Sequence, residues 1–150
     1  MTPAELETYL HDHIPLSRAM AVRVVAIADT SVTLGAPLAP NINHRDTVFG
    51  GSASAVAILS AWCLLHLRLT AAGRPSRVVI QRNTIDYLAP IAGDFTARSA
   101  LPPDADWDRF SRLLARRGVA RISVDAELDY EGAVAGRLSG DFVAFGNERL

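Results

Sequence analysis

The chain has 150 residues, 49% of them apolar and 21% charged, with a formal net charge of −1. A chain of this length buries a core without staples, so a single domain over residues 1–150 is expected. The one cysteine, Cys63, excludes an intramolecular disulfide, and near-neutral charge, with short arginine pairs only between Arg109 and Arg121, argues against a nucleic-acid binder.

Thr2-Pro3-Ala4-Glu5 reads as a helix start, with Thr2 capping, Pro3 at the first helical position and Glu5 reaching back. That helix should run to about His13 and stop at Pro15. The valine-rich Met20–Ala28 reads as a strand, Asp29-Thr30-Ser31 as a turn, and Val32–Leu38 as a returning strand ended by Pro37 and Pro40. Asn41–Thr47 is a loop. A long helix follows from Phe49 or Gly50 to Ala72, stopped by Gly73 and Pro75. Val78–Leu88 and Asp94–Ala100 read as strands, and Asp104–Arg117 as a short helix with Trp107, Phe110 and Leu114 on one side. Val119–Tyr130 alternates apolar Ile122, Val124, Ala126, Leu128 and Tyr130 with polar neighbours. Glu131-Gly132 makes a hairpin turn into a last strand, Val134–Phe145. Half-polar strands and hairpin-like turns predict an antiparallel sheet that buries the long helix on its concave face. The fold class is α+β.

The run from Val48 to Ala72 approaches a membrane span in length. It holds Ser52, Ser54, Ser60, His66 and Arg68 and opens on two glycines, so a core helix wrapped by a curved sheet is the expectation, with no membrane partner. The first residues are acidic where a secretory leader needs a basic start, and the lone cysteine suits a reducing compartment; a cytoplasmic location is expected.

Chemistry concentrates at Asn43-His44-Arg45-Asp46-Thr47-Val48-Phe49-Gly50-Gly51-Ser52, where a polar loop and a glycine pair open onto the apolar helix. Unpaired N–H groups and the positive end of the helix dipole suit a developing negative charge, and glycine permits close approach of backbone. The plainer alternative is a tight loop-to-helix entry. Asn43 can donate and accept at a carbonyl or a water, or can satisfy its own loop. His44 and Asp46 could activate water or simply be solvated. Asp86 could act as a base or orienter, or pair with Arg82. Ser52, Ser54 and Ser60 lack a legible histidine and acid, and His11-Asp12-His13 puts its histidines on different faces of a helix, so neither a serine nucleophile nor a metal site is expected.

Three features carry a resemblance. Asn43 stands seven residues before Gly50-Gly51, Asn83–Pro90 ends in Tyr87-x-x-Pro90, and Gly140-Asp141-Phe142-Val143 closes the chain's last strand. Together they resemble the acyl-CoA thioesterase branch of the hotdog fold, in which an antiparallel sheet wraps one long helix. With Ile14-Pro15-Leu16-Ser17, Met20 and Trp62, the chain is most similar to a bacterial thioesterase group whose domain follows an acetyltransferase domain in some proteins.

The resemblance implies hydrolysis of a coenzyme A or acyl-carrier-protein thioester without a cofactor, in a homodimer or dimer of dimers with the pocket between protomers. Gly51 N–H would hold the carbonyl oxygen, Asn43 would position it or the water, and His44, Asp46 or the partner's Asp86 would supply the base. Gly50, Ser52 and Tyr87 would line the substrate site. One departure stands out: better-known members carry a carboxylate eight residues after the first glycine, where this chain has Ile58, and no Asp or Glu lies between Asp46 and Asp86. A non-catalytic acyl-CoA-binding module on the same fold is the rival expectation. Hydration of an enoyl thioester is a third, lacking a legible His-acid pair.

Overall fold

A computed structural model describes residues 1–146. Helix α1 (Pro3–His13) starts as expected: Glu5 N–H donates to Thr2 Oγ1 at 3.2 Å and Thr2 N–H to Glu5 Oε2 at 2.8 Å. Pro15 ends α1 but also opens a second short helix, α2 (Pro15–Ala19), because a proline missing its N–H fits the first helical position. The expected strand from Met20 is therefore shortened to β1 (Arg23–Ile27). Ala21, at φ 54°, turns the chain out of α2 in the left-handed region. Strand β2 (Ser31–Ala36) returns antiparallel and leads through a single helical turn, Ala39–Asn41, into the loop before α3 (Gly50–Ala71).

Strands β3 (Ser76–Tyr87) and β4 (Phe95–Ala100) follow. Helix α4 (Trp107–Arg117) begins later than expected because Asp106, not Asp104, caps it: its carboxylate accepts the Arg109 N–H at 2.9 Å. Gly118, at φ 73°, ends α4 and passes the chain to β5 (Val119–Tyr130). The hairpin to β6 (Ala133–Gly146) turns on Glu131 and Gly132, both at positive φ (50° and 79°), the combination that matches strand twist.

All six strands form one antiparallel sheet in the order β1-β2-β4-β5-β6-β3, and α3 packs on one face of it. This is the expected α+β hotdog arrangement. The core joins α3 residues such as Val56, Leu64 and Leu65 to Leu34, Val124, Leu128, Leu138 and Phe142 of the sheet. Ser99 of β4 is fully buried, and its hydroxyl reaches Ser60 O of α3 at 2.8 Å, fastening helix to sheet. Cys63 lies at the centre of α3, fully buried, and burial pushes its thiol pKa far up. By length and composition α3 could span a bilayer, yet 56% of its most apolar window is buried inside the fold.

Helix α1 packs against α2 and β1 and reaches α3 through the Tyr9 ring. Tyr9 stacks on His13 (4.1 Å between centroids) and on His66 (5.0 Å), and His66 stacks on Trp62 (4.7 Å). Burial first, and the nearby His13 second, lower the pKa of His66. Below about pH 6.5 the unfolded chain therefore takes up a proton that the folded state resists, so stability falls as pH falls through that value. Urea midpoints measured on either side of it should show this slope, and His66→Gln should flatten it.

Candidate functional site

The loop before α3 is closed on itself. Ile42 bridges Val48, Asn43 N–H donates to Thr47 O at 2.8 Å, and Val48 N–H donates to Ile91 O at 2.8 Å. Asn43 organises its interior. Its Oδ1 accepts the N–H groups of Arg45 (2.8 Å) and Thr47 (3.2 Å), and its Nδ2 donates to Thr47 Oγ1 at 2.9 Å. This is the turn-forming use of asparagine, and it leaves one amide hydrogen uncommitted. His44, Arg45 and Asp46 stand exposed at the loop tip, with Asp46 held at φ 63°.

Asn41, which the sequence reading placed only within the loop, is the buried anchor. At 2% exposure, its Nδ2 donates to Met20 O (2.9 Å) and Pro37 O (2.8 Å), tying the α2–β1 turn to the end of β2. Its backbone carbonyl accepts the Phe49 N–H at 2.8 Å, which fixes where α3 begins. By residue type Asn41 and Asn43 are indistinguishable; only the packing separates an anchor from a loop organiser.

Helix α3 starts without a side-chain cap and with no acidic residue in its first turn. Ala53 N–H donates to Phe49 O at 3.1 Å, while the amides of Gly50, Gly51 and Ser52 precede that first helical bond. A Cβ at position 51 would stand 2.4 Å from the Phe49 ring as it lies here, so any larger residue requires that ring to move. Phe49 is itself 57% exposed. Gly50 is held from the other side, where Tyr87 OH donates to Gly50 O at 3.1 Å. Tyr87 thus joins the end of β3 to the start of α3, and Ser52 lies half-buried one residue beyond Gly51.

An apolar stripe continues from Gly51 along α3 through Ala55, Ile58 and Trp62, residues three or four apart on one helix face. Trp62 Nε1–H donates to Val78 O at 3.0 Å, so this stripe runs beside β3. Ile58, at the position of the missing carboxylate, is half-buried and packs against the core.

The structure joins Tyr87 to Gly50 at the α3 start and keeps Asn43 within the loop that leads into it, but turns Asp86 to the opposite face of the sheet. Successive strand residues point to opposite faces. Tyr87 points to α3, so Asp86 points away from it, in register with Arg137 of β6 rather than ion-paired with Arg82. Among the described residues no group of three or more His, Cys, Asp or Glu is placed to hold a metal.

The model of a family described as "Putative thioesterase (yiiD_Cterm)" matches residues 3–146. The chain belongs to this family. Among solved structures, a protein of unknown function from Chlorobaculum tepidum TLS is 26% identical with a TM-score of 0.89, over 97% of this chain and 94% of that one. A "putative thioesterase" from Shewanella oneidensis is 27% identical with a TM-score of 0.84, over 95% of this chain and 96% of that one. A probable thioesterase from Pseudomonas aeruginosa, at 22% identity and TM-score 0.80 over 97% of each chain, shares the fold.

Proposed function

We propose that this chain hydrolyses an acyl thioester, carried by coenzyme A or an acyl-carrier protein, with the thioester carbonyl at the start of α3. The observation that carries this reading is the start of α3, where no side chain caps the helix and Tyr87 OH holds Gly50 O next to the Gly51 amide. A tetrahedral intermediate places negative charge on the former carbonyl oxygen, and a fixed N–H at the positive end of a helix stabilises that charge. The acyl chain lies along Ala55 and Ile58 and meets the Trp62 ring, whose bond to Val78 O closes the stripe. Trp62 is eleven residues beyond Gly51, about 16 Å along the helix at ~1.5 Å per residue.

The proton from the attacking water goes to His44 or Asp46, on the loop that abuts the helix start. Asp86 is set aside because its side chain lies on the other face of the sheet, and pairing two sheets edge to edge keeps their faces continuous. Of His44→Ala and Asp46→Asn, one should flatten the pH–rate profile. Purified protein assayed on a panel of acyl-CoA and acyl-carrier-protein thioesters tests the main reading. Hydrolysis above the buffer rate is expected. Saturable acyl-CoA binding with no turnover on any member would replace it with the non-catalytic module, the reading that Ile58 favours.

The working unit is a homodimer joined through β3. Edge strand β1 has 5 residues and is bulged at Val25, whereas edge strand β3 presents 12 residues. A long open edge invites pairing with a second copy. Apolar side chains exposed along or beside it, Val79, Tyr87, Leu88 and Phe49, are the kind of rim such pairing covers. Light scattering should give twice the chain mass, and a monomer with full activity would sink the shared cleft.

A further inference from the structure

The arginines between Arg109 and Arg121 have no part in thioester chemistry at the start of α3, yet the fold gathers two stretches of them around a groove. A cavity of about 900 Å³ lies between α4 and the sheet, lined by Arg109 and Arg117 of α4, Arg121 of β5 and Arg82 of β3. Arg82, Asp141 and Ser123 stand side by side across three strands. Ser123 alternates with the buried Ile122 and Val124, so this row lies on the sheet face turned away from α3. The groove shares no lining residue with the loop and helix start described above.

We propose that this groove binds a phosphorylated nucleotide. Four arginines from three elements line it, and none makes a side-chain hydrogen bond or ion pair with another of the described residues. The one salt bridge among the described residues joins Arg18 to Asp12, elsewhere. Three carboxylates also line the cavity, and two are already engaged: Asp141 accepts the Ser123 hydroxyl at 2.6 Å and Asp106 caps α4. Asp104 is exposed. Uncommitted guanidinium forks match phosphate oxygens in pairs and hold them better than ammonium groups would. Leu113 and the exposed Val119 add an apolar wall for a base, and carboxylates beside it can accept from exocyclic amino groups. The volume lies within the range of small-molecule sites, roughly 300–1,000 Å³. One ligand chemistry therefore accounts for both signs of charge and for the apolar wall. The groove opens on the sheet face turned away from the α3 start, so the nucleotide is a free one and its binding does not depend on turnover.

Titration calorimetry with ADP and with adenosine 3′,5′-bisphosphate, at physiological ionic strength, tests this directly. Saturable binding of one nucleotide per chain at micromolar concentration is expected. Arg109→Gln/Arg121→Gln should weaken it by roughly tenfold or more, as should Arg82→Gln alone to a lesser degree. Arg116→Gln, on α4 but outside the groove, should leave it unchanged. Circular dichroism confirms that each variant folds. The absence of saturable binding up to millimolar nucleotide, or equal binding by the double variant, overturns the proposal. The source follows from two thioesters of one acyl group, on coenzyme A and on N-acetylcysteamine. A rise in KM for the first alone in the double variant would overturn the assignment to a free nucleotide. Loss of nucleotide binding with both reactions unchanged assigns it to a free one.

Discussion

Gly51→Pro should lower kcat for thioester hydrolysis by about a hundredfold or more, while Gly51→Ala should cost far less. The pair is needed because both variants add a Cβ, and a Cβ at this position would stand 2.4 Å from the Phe49 ring. Phe49 is largely exposed and can swing aside, so the steric cost is small and common to both. Only proline also removes the N–H. The difference between the two variants therefore isolates the amide as an oxyanion donor. Proline in the first helical turn is tolerated, since that N–H has no helical acceptor there. Equal kcat in the two folded variants would show that the Gly51 amide does no chemistry.

Asn43 yields the second large effect, and the structure changes which substitution is informative. Asn43→Ala deletes three hydrogen bonds that shape the loop. At about 1 kcal/mol each it should destabilise the protein measurably as well as slow turnover. Asn43→Asp keeps the acceptor for the Arg45 and Thr47 amides, and the Thr47 hydroxyl can reverse to donate to it. It removes the amide hydrogens and, when ionised, adds a negative charge. If the uncommitted Asn43 hydrogen polarises the thioester or orients water, Asn43→Asp should lose activity about as severely as Asn43→Ala while retaining wild-type stability. If Asn43 serves the loop alone, Asn43→Asp should be nearly as active as the parent. Chemical-denaturation midpoints and kcat on the same preparations separate the outcomes.

Much of the architecture was legible because local and long-range signals agree. The long apolar run bounded by Gly50-Gly51 and by Gly73 and Pro75 became α3 within a residue of its expected end. The clean alternation of Val119–Tyr130 became β5 over the expected range. Where reading failed, one residue type carried two meanings. Pro15 stops one helix and starts another. Met20–Val22 has strand-like composition, but Ala21 turns in the left-handed region and Met20 O is claimed by Asn41. The junction of the loop with α3 was legible in position, but not the hydrogen bonds its residues make. Composition cannot reveal that Asn43 spends its carbonyl on its own loop, or that Asp86 faces away from the helix start. The parity of Ile85 and Tyr87 could have indicated the latter. The arginine groove was beyond reach, because it draws on strands far apart in the chain.

Cys63 offers a use of its own. It is the chain's single thiol, it sits fully buried in α3, and burial holds it protonated. Disulfide reagents that colour free coenzyme A attack thiolates, so the folded protein should contribute no background to a continuous assay of thiol release. The same silence makes Cys63 a clock. Its labelling rate reports how often α3 parts from the sheet, and comparing that rate with and without bound acyl-CoA measures how far the ligand holds the two together.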